Sequence, residues 1–160
     1  MRVWVDADAC PNSIKSIIFR AAERLPVETV LVANHQVRVP PSRYLTTLQV
    51  PAGFDMADDA IVSRLAPGDL VVTADIPLAA EVVKCGATAL NPRGTVYTEN
   101  NIHDHLARRD LMEQLRDSGT VSSSQSPLGR TELQAFANQL DRFLATRQRG
   151  ESGGSADEGV

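Results

Sequence analysis

Short apolar runs alternate with helix-period segments across residues 1–90, and this alternation restricts the fold more than any other feature of the chain. Arg2 to Val5 is too apolar for a strand with one wet face, so it predicts a buried strand. Pro11 suits a first helical position, and Ile14, Ile17, Ile18, Ala21, Ala22 and Leu25 follow at helical spacing until Pro26 stops them. Val27 to Ala33 predicts a second strand, and Leu45 to Val50 a short one inside a loop-rich stretch. Asp55 is placed to cap a helix that runs to about Leu65, with Asp58 at its third position. After the Pro67-Gly68-Asp69 turn, Leu70 to Thr73 predicts a strand. Pro77 opens a helix that Gly86 ends, and Ala87 to Leu90 closes the series. Strands joined by helical crossovers imply a parallel sheet. The expected class is therefore α/β: three layers, α/β/α, around a mostly parallel sheet.

Residues 91–98 are expected to form a loop, followed by helices over about 101–117 and 129–147. One domain over 1–148 accounts for this pattern, with a disordered Gly-, Ser- and acid-rich tail over 149–160. No run is long enough to span a bilayer, and no signal peptide precedes the first strand, so no membrane partner and a cytoplasmic location are expected. Cys10 and Cys85 have neither disulfide nor metal spacing and are expected to be reduced thiols. A net charge of −4 argues against a general nucleic-acid coat, although not against a nuclease with a local basic patch.

Aspartates recur where this topology would gather them. Asp6 and Asp8 follow the first strand, Asp58 and Asp59 lie in the first turns of a helix, and Asp75 follows the third main strand. Ligands of open parallel sheets bind beyond the carboxyl ends of the strands. On an extended chain Asp6 and Asp8 face the same side. Asp58 shares a helical face with Ile61, Val62 and Leu65, while Asp59 sits one step round and is expected to be more exposed. Each cluster also has a purely structural reading, as helix caps, worth roughly 0.3–1 kcal/mol apiece. Caps alone do not explain why all three clusters fall at one edge. Oxygen-only donors favour Mg²⁺ or Mn²⁺, which points to a metal-dependent hydrolase.

The run Val5-Asp6-Ala7-Asp8-Ala9-Cys10-Pro11 resembles the start of the YaiI/YqxD family of bacterial proteins. Asp55 to Val62, Gly68 to Ala79, Asn91-Pro92-Arg93-Gly94, Tyr97-Thr98, Asn101-Ile102, Phe136-Ala137-Asn138 and Leu140-Asp141 continue the resemblance in order, over about residues 1–146. That family is in turn similar to PIN and NYN domains, many of which are metal-dependent ribonucleases. The resemblance implies a PIN-like sheet with acids at its carboxyl edge, falling here on Asp6, Asp58 or Asp59, and Asp75, with Asp8 as an additional candidate. It implies RNA as a partner. One departure is the stretch Val121 to Leu128, where the family usually has Gly-Gly-Pro and a Pro-Phe pair.

Arg93, in the loop after the last expected strand, is a candidate phosphate clamp or a partner of the acids. Lys15, Lys84, Arg108, Arg109, Arg116 and Arg130 are candidates for a backbone-binding surface, although a solvated helix face explains most such residues. His35, His103 and His105 lack ligand spacing and are expected at the surface. Two alternatives stand beside the nuclease. Asp6-Ala7-Asp8 has the Asp-x-Asp form of aspartyl-nucleophile phosphatases. A non-catalytic nucleic-acid-binding module would keep the acids for structure alone.

Overall fold

The computed structural model describes residues 1–119 and 127–158, with side chains to residue 146. Its strands are β1 (Arg2–Asp6), β2 (Glu28–Ala33), β3 (Leu45–Gln49), β4 (Leu70–Val72), β5 (Thr88–Leu90) and β6 (Val96–Tyr97). Its helices are α1 (Asn12–Arg24), α2 (Met56–Arg64), α3 (Ile76–Lys84), α4 (Ile102–Asp117) and α5 (Arg130–Glu158). The expected tail, 149–160, falls where side chains are not described, and residues 121–126 of the departing stretch lie outside the described residues.

The six strands form one sheet in the order β3-β2-β1-β4-β5-β6. All neighbours are parallel except β5 and β6, which pair antiparallel. The β5–β6 hairpin corrects the expectation of a plain loop over 91–98. Asn91 N donates to Thr95 O at 2.8 Å and Gly94 N to Asn91 O at 2.8 Å, which folds the chain back on itself. Gly94 has φ +96, and a Cβ there would meet the Ala135 Cβ at 2.7 Å, so α5 packs directly over this turn.

Side-chain alternation along the strands divides the core into two layers. Val3 and Val5 of β1, and Leu70 and Val72 of β4, face a cluster with Ile14 and Ile18 of α1 and Phe136, Leu140 and Leu144 of α5. Trp4 and Val71 face the other side, with Ile61 of α2, Leu78, Ala79 and Val82 of α3, and Ile102 of α4. This is a three-layer α/β/α arrangement. The connection from β2 to β3 has no helix; Val37 and Val39 of that loop cover the α1 side instead.

Two buried polar residues tie the sheet at opposite edges. At the amino edge Asp69 accepts from Arg2 N (2.9 Å), Trp4 Nε1 (3.1 Å) and Ala66 N (3.0 Å). Thr73 lies at the carboxyl edge and belongs to the site described next.

Candidate functional site

The strand order reverses direction between β1 and β4, since β1 runs on to β2 on one side and the chain returns to β4 on the other. Such a switch point leaves a crevice at the carboxyl edge that the connections do not cover. Asp6 ends β1 and Thr73 follows β4. Both continue the alternation of Trp4 and Val71, so both turn to the α2/α3/α4 side. Thr73 Oγ1 donates to Asp6 Oδ2 at 3.0 Å and accepts from Asp75 N at 3.0 Å. Asp6 is 8% exposed. Burial pushes its carboxyl above the usual range, the Thr73 hydrogen bond pulls it part of the way back, and the charges of Asp75 and Asp8 raise it again.

Asp58 comes from α2 on the same side. It is half-buried, and its pKa is pushed up to about 6, first by burial and then by Asp75, Asp6, Asp55 and Asp59. Every charge that acts on it is another carboxylate. Asp59 is exposed, as its position on the helix predicts. With Asp55, Asp58 and Glu81 it lines a surface cavity of about 270 Å³ between α2 and α3. Asp55 stands before α2 in a left-handed conformation (φ 61) and its side chain makes no capping bond. The expected capping pair of Asp55 and Asp58 is therefore not formed, which leaves Asp58 to the acidic group. Asp75 does cap: its Oδ1 accepts from Leu78 N at 3.0 Å at the start of α3.

Asp8 departs from the extended-chain expectation. Ala7 to Ala9 form a 3-10 turn, which breaks the two-residue alternation. Asp8 instead accepts from Asn34 N at 2.9 Å and lies 2.6 Å from His35 Nδ1, beside the end of β2. His35 is exposed as expected, but it is engaged by Asp8. The Arg93 guanidinium is 4.0 Å from Glu132 on α5, the helix of the opposite layer. His105 is more than a surface residue. Its ring meets Tyr97 edge-on with centroids 4.9 Å apart, and it borders a cleft that Asp75 also lines. Cys10 is buried and its thiol is pushed up to about 12, chiefly by burial, which leaves it inert as a nucleophile at neutral pH.

Thr73 and His105 take part in the site beyond their expected places as a strand end and a surface residue. Thr73 was legible only as the last residue of a strand, although its parity with Asp6 across β1 and β4 carries the signal. His105 is separated by three residues from Arg108, a helical spacing that marks a shared face.

Among the described residues, no three His, Cys, Asp or Glu side chains stand in ligand geometry for a metal ion. What joins Asp6, Asp58 and Asp75 is shared charge at one edge of the sheet. Carboxylate oxygens are the donor chemistry of hard cations such as Mg²⁺, which keeps several waters and is commonly held by one or two carboxylates together with substrate phosphate. No helix among the described residues is long and apolar enough to cross a membrane.

Residues 4–146 match the family described as "Uncharacterized BCR, YaiI/YqxD family". A UPF0178 protein of Shewanella woodyi is 56% identical over 149 residues, covering 93% of this chain and 99% of the relative. One from Pseudoalteromonas translucida is 58% identical over 151 residues, covering 94% and 100%. Another, from Halorhodospira halophila, is 58% identical over 147 residues, covering 92% and 97%. No solved structure matches the chain. By its near full-length match and these identities, the chain belongs to the YaiI/YqxD family, the UPF0178 proteins.

Proposed function

We propose that this protein hydrolyses phosphodiester bonds in RNA with Mg²⁺ or Mn²⁺ gathered by Asp6, Asp58 and Asp75. The observation that carries this reading is the approach of Asp6, Asp58 and Asp75 on one side of the sheet's carboxyl edge, with Thr73 bonded to both Asp6 and Asp75, where burial and the neighbouring carboxylates raise the Asp58 carboxyl to about 6. Carboxylates that raise one another's pKa store an electrostatic cost that a divalent ion relieves. When bound, such an ion supplies polarisation of a phosphoryl oxygen and a more acidic water.

The chain's own residues do the positioning. Thr73 orients Asp6 through one oxygen and ties Asp75 to it through the backbone. Asp75 commits Oδ1 to the α3 cap. Asp59 faces solvent beside Asp58 and adds to the field at the mouth of the site. Arg93, directed to Glu132, takes no part in this reading.

The aspartyl-phosphatase alternative has less support. Its nucleophile would be the buried Asp6, and its acid/base would be Asp8, which Asn34 and His35 already engage. The binding-module alternative differs from the nuclease by its indifference to chelator.

End-labelled RNA incubated with the protein and Mg²⁺ or Mn²⁺ tests the proposal. Fragments are expected, absent with chelator and reduced roughly 100-fold or more in Asp6→Asn, in line with the loss of a metal-site group. Cleavage of equal rate in Asp6→Asn, or none by the wild type with either ion, would overturn it.

A further inference from the structure

A basic cleft adjoins the acids on the same side of the sheet. Ala74, Asp75 and Ile76 form one wall, and His105, Arg108, Arg109, Met112 and Arg116 of α4 form the other, around about 360 Å³. The α4 residues recur at spacings of three and four, so they share one face of the helix. Tyr97, buried beneath, holds His105 edge-on and fixes where this face begins.

The three arginines are not equivalent. Arg109 is engaged by Glu113 at 2.9 Å and by Asp110 at 3.4 Å. Arg108 and Arg116 are exposed, and neither guanidinium has an ion-pair or hydrogen-bond partner among the described residues. They lie eight residues apart, about 12 Å along the helix axis. The whole chain carries −4, so a polyanion is drawn to this face by local charge and not by the molecule's net field.

We propose that this face of α4 is the track on which a single phosphodiester strand lies as it enters the acidic site, with Arg108 and Arg116 each holding a backbone phosphate. The inference rests on the phosphodiesterase reading for its direction, since Asp75 is both a wall of this cleft and a neighbour of Asp6 and Asp58. A single row of cations on one helix addresses one backbone. Guanidinium groups suit phosphate because their donors are planar and forked. Contacts of this kind carry no base information, so RNA and DNA single strands share the chemistry.

Fluorescence anisotropy with labelled oligouridine and oligothymidine in chelator reads the track without the ion. Wild type is expected to bind, with affinity falling as salt rises. In the double variant R108A/R116A, affinity falls at least tenfold and the log–log salt slope decreases by about 1.4, the value for two phosphate contacts on a single strand. The variant R108K/R116K keeps the charge and recovers most of that slope. Tighter binding of oligouridine would assign a contact to the 2′-hydroxyl, and equal binding would assign the backbone alone; both agree with the track. Binding and slope unchanged in R108A/R116A, or no binding by wild type at low salt, would overturn it. Calorimetric titration of Mn²⁺ into the same proteins reads the acids separately. Ion binding that survives alongside an unaltered salt slope discards the track and keeps the acidic site, whereas an arginine-dependent slope without ion binding does the reverse.

Discussion

The Thr73 hydroxyl sits between two acidic positions, donating to Asp6 Oδ2 at 3.0 Å and accepting from the backbone N–H of Asp75 at 3.0 Å. One side chain thus couples the end of β1 to the start of α3 across the switch point. Thr73→Val keeps the shape and removes both bonds. It leaves a buried carboxylate short of a donor, at an expected cost of about 1–3 kcal/mol. The hydroxyl also lowers the Asp6 pKa against the effect of burial, so the variant needs higher pH to ionise Asp6. Denaturant titration and the pH profile of cleavage check these effects, and Thr73→Ser is expected to restore both. An unmoved profile in Thr73→Val would separate Thr73 from the site.

The Asp58 carboxyl predicts a pH-dependent stability of definite sign. Its folded value, about 6, lies above the ordinary 3.8. The folded state therefore binds this proton more tightly than the unfolded chain does. The stabilisation is fully present below the unfolded value and is lost as pH rises through about 6. Asp58→Asn removes the titration. In melts without divalent ions, the variant is expected to gain on wild type as pH climbs through that window, and added Mg²⁺ is expected to narrow the gap. A pH-independent difference would show that Asp58 does not sense the other acids.

Asp69 predicts a purely structural loss. Its carboxylate accepts three hydrogen bonds at the amino edge, one of them from Trp4, the single tryptophan of the chain. Asp69→Ala strands those donors and is expected to cost about 3 kcal/mol or more. Tryptophan fluorescence reports the change directly. A variant with wild-type stability and an unchanged emission spectrum would contradict the assignment.

Gly94→Ala probes the hairpin that places α5. The added methyl would stand 2.7 Å from the Ala135 Cβ and 2.9 Å from its carbonyl carbon, at a backbone φ of +96. Overpacking of this kind costs about 1–3 kcal/mol. A lower midpoint in denaturant is expected, with α5 protected less from hydrogen exchange. Unchanged exchange in α5 would show that the turn does not support the helix.

The sequence discloses the parallel sheet because buried strands and amphipathic helices leave different periods, and those periods survive without tertiary context. It also discloses that Asp6, Asp58 and Asp75 approach one edge, since strand ends and an inward helical face are local properties. It conceals what depends on a single turn or a distant partner. Two residues, Val96 and Tyr97, are too few to show a strand's alternation, so β6 reads as loop. The 3-10 turn over Ala7–Ala9 redirects Asp8 to Asn34 and His35, against the extended-chain rule. Arg93 meets Glu132, 39 residues later in the chain, a relationship no local pattern encodes. Asp69 reads as a turn residue, although it is buried beneath Trp4.

Manganese anomalous scattering from a soaked crystal locates the ion without reference to activity. A peak is expected at the carboxyl edge of β1 and β4, bordered by Asp6, Asp58 and Asp75 and absent in crystals of Asp6→Asn. Soaked wild-type crystals with no peak among these three carboxylates, or a peak that Asp6→Asn leaves in place, would contradict it.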